Sequence, residues 1–207
     1  MNVILIRIKQ NNLTRKRMAH LFADAFYDDP LYVYIFPDDK TRLEALEVFF
    51  KMYLDVLGKY GELVTNSEDM TAVAYIYYEE RFKSKSLYYK DLFLASLRLT
   101  DFLRYVKVRD VYRMLKTVHH LSSEWIHHNV EGNYIHLDLL AVQREYRGLG
   151  KAKALVDYAI QEAKLRNLPL TLETQNAKNI NLYRHFEFET VKEISYENMV
   201  QYCMIRK

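Results

Sequence analysis

The sequence predicts an α/β (α+β) fold, with about six or seven strands flanked by helices. Apolar residues recur at helical spacing in some segments and alternate in others. A strand–turn–helix–strand unit stands in the last third of the chain. Half of the 207 residues are hydrophobic, enough for a sizeable core. That length suits one rather large domain, or one domain with an insertion, better than two, so a single domain over 1–207 is expected. Only five glycines and three prolines occur, which argues against long disordered linkers. The sequence shows no internal repeat and no low-complexity tract.

Residues 3–8 alternate weakly and read as a first strand. Thr14 is placed to cap a helix to about Ala25, in which Leu21, Phe22, Ala25 and Phe26 share a face. Asp28-Asp29-Pro30 is read as its end, followed by an aromatic loop over 31–37. A helix from about Thr41 carries the stripe Leu43, Leu46, Phe49, Phe50, Tyr53, Leu54 and Leu57, closed by Gly58 and Gly61. Residues 62–65 and 71–78 are expected as strands around a turn at Asn66–Asp69. The segment 80–130 is expected to be a helical insertion of one to three helices. Its periodicity shows first in Leu92, Leu97, Phe102, Leu103 and Tyr105, then in Val111, Met114, Leu115 and Val118. Its lysines and arginines read as a solvated face.

The last third reads more sharply. Tyr134–Val142 is a strand, Gly150–Arg166 a helix and Leu168–Glu173 a strand. Asn176 can cap a short helix to about His185, and strands near 187–195 and 199–206 finish the chain.

Charge and cysteine content narrow the function classes. Net charge is +3 and the pI about 8.7, too mild to argue for nucleic acid and compatible with an anionic cofactor. The one cysteine, Cys203, has no internal partner, which suits a reducing compartment. The N-terminal apolar run is short and broken by Arg7, and no stretch of 18 apolar residues exists. No signal peptide, membrane span or membrane partner is therefore expected, and a cytoplasmic location is.

The junction between strand and helix reads Gln143-Arg144-Glu145-Tyr146-Arg147-Gly148-Leu149-Gly150-Lys151-Ala152. Glycines let the backbone approach a ligand, and the first amides of the following helix lack internal partners. With the helix dipole, such a turn suits phosphate oxygens, and Arg147 and Lys151 add positive charge. A Walker-type loop would need glycine at Glu145 and Ser or Thr at Ala152; a dinucleotide fingerprint would need glycine at Lys153. An ordinary glycine-containing turn is the plain alternative.

Arg147-x-x-Gly150-x-Ala152 resembles the Arg/Gln-x-x-Gly-x-Gly/Ala signature of the Gcn5-related N-acetyltransferases. Leu140-Ala141-Val142 precedes it at the expected distance, and Tyr146-Arg147-Gly148 is similar to the family's Tyr-Arg-Gly. Leu182-Tyr183-Arg184-His185-Phe186-Glu187-Phe188 resembles Leu-Tyr-x-x-x-Gly-Phe, with Glu187 where glycine is usual. Asn176 falls in place seven residues before Tyr183, and Asn179 stands where alanine is common. The motif core spans about 134–190. The resemblance is only topological over 1–80 and absent over about 80–130.

The resemblance implies a mixed, twisted, mostly antiparallel sheet and acetyl-CoA as cofactor. It places the pantetheine arm beside Leu140, Ala141 and Val142. It places the pyrophosphate on Arg147, Gly148, Leu149, Gly150, Lys151 and Ala152, with Asn176 and Tyr183 also at the cofactor. It implies acetyl transfer to a primary amine in a ternary complex, with Tyr183 as general acid to the departing sulfur. A core tyrosine on an amphipathic helix is the plainer reading of Tyr183.

The base is open between two residues. Strand alternation puts Tyr134, His136, Asp138, Leu140 and Val142 on one face and Ile135, Leu137, Leu139 and Ala141 on the other. His136 titrates in the useful range unaided, whereas Asp138 needs burial to raise it. The pair resembles the arylalkylamine branch, where two histidines occupy these positions. His136 satisfied within the sheet is the plain alternative; a carboxylate in a central strand is costly unless paired. The pairs His119–His120 and His127–His128 do not by spacing define a metal site, and none is expected.

Tyr32, Tyr34 and Phe36 are either an aromatic wall favouring an apolar amine or simple packing. The expected partner is a small-molecule amine or peptide acceptor, with a homodimer compatible with the family. A non-catalytic acyl-CoA-binding sensor keeps the turn without the proton-transfer residues. Nucleic-acid binding through 80–130 is the remaining reading, and no nucleic acid is expected.

Overall fold

The computed structural model describes residues 5–9, 11–66, 69–81 and 102–207. Seven strands form one sheet in the order β1-β2-β3-β4-β5-β7-β6. They are β1 (Ile6–Arg7), β2 (Gly61–Thr65), β3 (Ala72–Tyr78), β4 (Ile135–Val142), β5 (Leu170–Thr174), β6 (Glu189–Tyr196) and β7 (Met199–Arg206). Every neighbouring pair is antiparallel except β4 and β5, which run parallel. The expected mixed, mostly antiparallel sheet is what forms.

Helices cover both faces. On one lie α1 (Asn12–Phe26) and α3 (Arg42–Leu57), joined by the short α2 (Pro30–Ile35). Their stripes, with Phe22, Leu46, Phe50 and Leu54 fully buried, pack on Val73, Tyr75, Leu139 and Ala141. On the other lie α6 (Lys151–Arg166) and α7 (Lys178–His185), where Leu155, Val156 and Ala159 meet Ala74, Ile76, Ile135 and Leu137. Between β3 and β4 the chain forms α4 (Val108–His120) and α5 (Trp125–Asn129). Trp125 and Ile126 are buried with Tyr134, Cys203 and Ile205. The expected periodicity around Leu92 and Leu97 lies outside the described residues.

Local chemistry moves three boundaries. α1 is capped by Asn11, whose side chain accepts from the Thr14 amide at 2.9 Å while Thr14 Oγ1 accepts from the Asn11 amide at 2.9 Å. Thr14 is therefore the far partner of a capping box, three residues inside the helix. The expected aromatic loop after Pro30 is instead α2. Asp29 caps it through the Leu31 amide at 3.0 Å, and Pro30 occupies its first turn, where a missing N–H costs nothing. The turn into β6 forms with Glu187 at φ 63°, in the left-handed region that a glycine would adopt freely. Arg206 holds it, donating to the Phe186 carbonyl at 3.1 Å and to the Glu187 carboxylate.

Candidate active site

Two features of β4 create the site. Its pairing with β5 stops at Leu137–Leu172, so Asp138–Val142 continues with only β3 beside it. Its register against β3 also slips: Tyr75 faces Leu139 and Ile76 faces Leu137, leaving Asp138 as the extra residue of a β-bulge. The bulge breaks the regular alternation expected from the sequence. Ile135 and Leu137 pack toward α6, whereas Leu139 and Ala141 pack toward α1 and α3. Leu140 and Val142 accordingly turn their side chains to the α6 side, away from His136 and Asp138. What the bulge does is aim Asp138 at α3, where its carboxylate accepts a short hydrogen bond from the Tyr53 hydroxyl.

The split opens toward the strand–helix turn. Gly148 and Gly150 have φ of 77° and 72°, and a Cβ built on either meets nothing within 4 Å. The turn is thus exposed and unfilled by side chains. Gly150 precedes α6 with no side-chain cap, so the amides of Lys151 and Ala152 at the helix start face outward without intrahelical partners. Arg147 donates from Nε to the Val142 carbonyl at 3.2 Å and from Nη2 to the Ala25 carbonyl at 3.0 Å. It ties the turn to β4 and to the last turn of α1. Among the described residues no carboxylate pairs with Arg147, whereas Arg144 pairs with Asp28 at 3.1 Å. Leu149 is exposed. Because Val142 turns its carbonyl to the open edge, Leu140, two residues earlier, presents its main chain there too, and Ala141 faces β3. Asn176 lies just before α7 and its N-cap Ala177, and its side chain accepts from the Lys178 amide at 3.1 Å.

On the other side of the split lies a cleft of about 410 Å³. Phe26, Tyr32, Phe49 and Tyr53 give it aromatic walls, and Asp29, Asp138, Glu173 and Tyr183 place polar groups in it. Thr117, Val118, Leu121, Ser122 and Ser123 also line it, so the segment between β3 and β4 supplies one wall. Tyr183 is buried, edge-on to Phe188 at 5.9 Å, and burial followed by the charge of Asp29 pushes its hydroxyl up to about 12. Burial raises the Asp29 carboxyl to about 6, against the amides of Leu31 and Tyr32, which favour its charge. Burial also raises Asp138, opposed by the charge of His136 and the Tyr53 hydrogen bond.

His136 lies deeper than the sequence suggested. It is 4% exposed and does not line the cleft. Its Nδ1 is 2.8 Å from Thr171 Oγ1, and its Nε2 is 3.5 Å from Glu173 Oε2. The other Glu173 oxygen accepts from the Trp125 indole N–H. Burial would depress His136, but the charge and hydrogen bond of Glu173, then the charge of Asp138, hold it above its ordinary value. Burial would raise Glu173, but His136, Ser123 and Trp125 hold it below the usual carboxylate range. Asp29 and Glu173 went unread as site residues. Asp29 had a signal, an acid immediately before a proline beside aromatic residues; Glu173 had only the cost of a carboxylate on a strand, which names no partner.

Residues 15–188 match the model described as "Acetyltransferase (GNAT) family". The chain belongs to the GNAT acetyltransferases. Members of this family use acetyl-CoA. No curated protein sequence matches this GNAT chain. Solved structures similar to it include a Corynebacterium glutamicum protein described as histone acetyltransferase HPA2 and related acetyltransferase. That match has 15% identity and a TM-score of 0.67, covering 99% of this chain and 96% of that one. Arylalkylamine N-acetyltransferase 2 from Aedes aegypti is 14% identical with a TM-score of 0.57, covering 97% of each chain. Arabidopsis thaliana Naa50, solved with the bisubstrate analogue CoA-Ac-MVNAL, is 15% identical with a TM-score of 0.50, covering 99% of this chain and 97% of that one. Among the described residues no helix is long and apolar enough to cross a membrane.

Proposed function

We propose that this protein is an N-acetyltransferase that passes the acetyl group of acetyl-CoA directly to a small primary amine within a ternary complex. The observation that carries this reading is the placement of two unlike surfaces on either side of one strand split. An open turn of outward amides beside an unneutralised Arg147 lies on one side, and a cleft with carboxylates and a buried phenol lies on the other. The first suits a diphosphate and the second an ammonium.

Acetyl-CoA supplies the acetyl group as a thioester, whose C–S bond is exchanged for the amide C–N bond. The chain's own residues bind, orient and move protons. Gly148, Leu149, Gly150, Lys151 and Ala152 offer main-chain N–H groups to the diphosphate, with the positive charge of Arg147 beside them. Leu140 and Val142, with Ala141 turned to β3 between them, form the strand edge along which the pantetheine arm lies, and Asn176 braces the start of the helix that carries Tyr183. The aromatic walls favour an acceptor with an apolar or aromatic body, and Asp29 and Asp138 favour its ammonium form.

Asp138 is the base: one oxygen holds the Tyr53 hydroxyl, the other is left to take a proton from the incoming ammonium. Burial lifts its basicity toward that task. Asp29 lies within electrostatic reach of Tyr183 and holds the ammonium at that end. A phenol near 12 is a much weaker acid than a thiol near ~8.5. Tyr183 therefore steadies the departing sulfur with a hydrogen bond, and the proton that finally neutralises it comes from the amine.

The test is thiol release from acetyl-CoA over a panel of small amines and peptides. The reading expects release with at least one apolar primary amine. Tight binding of CoA with no release on any amine would make the protein a sensor instead.

A further inference from the structure

We infer that His136 is a buried imidazolium, closed against Glu173, and that it acts as a fixed positive charge behind Asp138 rather than as a base. The inference rests on Asp138 being the base, and it adds Glu173 to the working parts of the site.

A threonine hydroxyl has one proton to give. Thr171 Oγ1 is positioned to donate to the Ile135 carbonyl, 3.2 Å away on the neighbouring strand. That leaves the same oxygen as an acceptor toward His136 Nδ1 at 2.8 Å, so Nδ1 carries a proton. On the far side of the ring Nε2 faces Glu173 Oε2 at 3.5 Å. The Glu173 carboxylate accepts from the Trp125 indole and bonds to Ser123, so it is held as an anion and has no proton to offer the ring. Nε2 therefore carries a proton as well. With both nitrogens occupied, His136 has no lone pair for the acceptor amine. Its ring is also shut off from the cleft.

Energetics point the same way. An isolated carboxylate in this interior would be costly, and an imidazolium beside it neutralises the pair. The groups facing Asp138 are Tyr32 from α2, Tyr53 from α3, Tyr75 from β3, His136 on β4 and Glu173 from β5. Burial first, then nearby charge, keeps all three phenols protonated well above neutral pH. His136 is thus the cation of the set, and its charge keeps Asp138 ionised at a pH where burial alone would leave it protonated. His136 and Glu173 are positioning residues, acting on the acceptor through Asp138.

Two measurements test this. The first needs no activity: ring-nitrogen NMR of the full chain labelled with ¹⁵N-histidine. His136, one of seven histidines, should show both ring nitrogens protonated at neutral pH, and Glu173→Gln should leave one bare. A neutral His136 that accepts the Thr171 proton at Nδ1 would overturn the inference whatever the enzyme acetylates. The second is the pH profile of kcat/KM for an accepted amine. His136→Gln leaves Asp138 facing only the negative charge of Glu173, so the acid limb should move up by about one pH unit. His136→Gln/Glu173→Gln removes both charges and should move the limb back toward wild type. A double variant shifted as far as the single one would show that the ring acts by packing, and would sink the charge role.

Discussion

Replacing Gly150 by alanine isolates the backbone's part in holding the diphosphate. Gly150 sits at φ 72°, ψ 9° before the first residue of α6. An added Cβ meets nothing within 4 Å, so no clash contributes. What remains is the intrinsic cost of the left-handed region for an L-residue, about 1–2 kcal/mol. In the free protein that cost should appear as a melting temperature lower by about 2–8 °C, since a chain of this size loses roughly 2–4 °C per kcal/mol. If the turn relaxes to escape it, the amides swing out of line and the ligand must restore them. Affinity for CoA then falls by up to the same amount, about five- to thirty-fold. Pantetheine, which lacks the diphosphate, should bind Gly150→Ala and wild type alike. Differential scanning calorimetry gives the first quantity and isothermal titration the others. Equal weakening of CoA and pantetheine, or a variant unchanged in both melting temperature and CoA affinity, would refute the role of the turn.

Substitutions at three further positions probe the site and the turn into β6. Tyr183→Phe should lower turnover about tenfold or more while sparing CoA affinity, as loss of one donor at a developing anion does; unchanged turnover would remove Tyr183 from the chemistry. Asp29→Asn keeps the oxygen that caps α2 but removes the charge. The folded-state carboxyl is raised from 3.8 to about 6, so wild-type stability is lost as pH rises through 6. The variant should therefore be more stable by about 1–3 kcal/mol above pH 7, with the gain fading below pH 5 and turnover lower throughout. Thermal melts at pH 5 and 8 check it, and a pH-independent gain would contradict it. Glu187→Gly and Glu187→Ala both lose the contact with Arg206, so their stabilities should differ only by the left-handed backbone cost, about 1 kcal/mol or somewhat more in favour of glycine. Equal stabilities would mean that the turn re-forms with another geometry.

The strand–helix turn was legible because everything it needs is local: two glycines, a helix start and an arginine within six residues. The helices and strands of the last third were legible for the same reason, through periodicity. α2 was misread because Asp29-Pro30 serves equally as a helix stop and as a cap followed by a first-turn proline, and only packing of Tyr32 and Ile35 selects the second. The bulge at Asp138 left no mark, since Leu137, Leu139 and Ala141 are apolar whether or not the strand slips. Its consequence was therefore missed: two apolar residues on one side of it pack on α6 and two beyond it pack on α1 and α3. The link between His136 and Glu173 spans two parallel strands, and Trp125 comes from α5, outside the sheet. No spacing rule connects such residues. The same holds for the cleft wall from α4, whose periodicity announces a helix but not its neighbour.

The central claim is that main-chain N–H groups of the turn take up the diphosphate. Amide NMR of the ¹⁵N-labelled chain during titration with CoA tests it most directly. The signals of Gly148, Leu149, Gly150, Lys151 and Ala152 should move together and saturate with CoA, and should stay in place with pantetheine. Saturable CoA binding that leaves those five amides unshifted, or no binding at all, would contradict it.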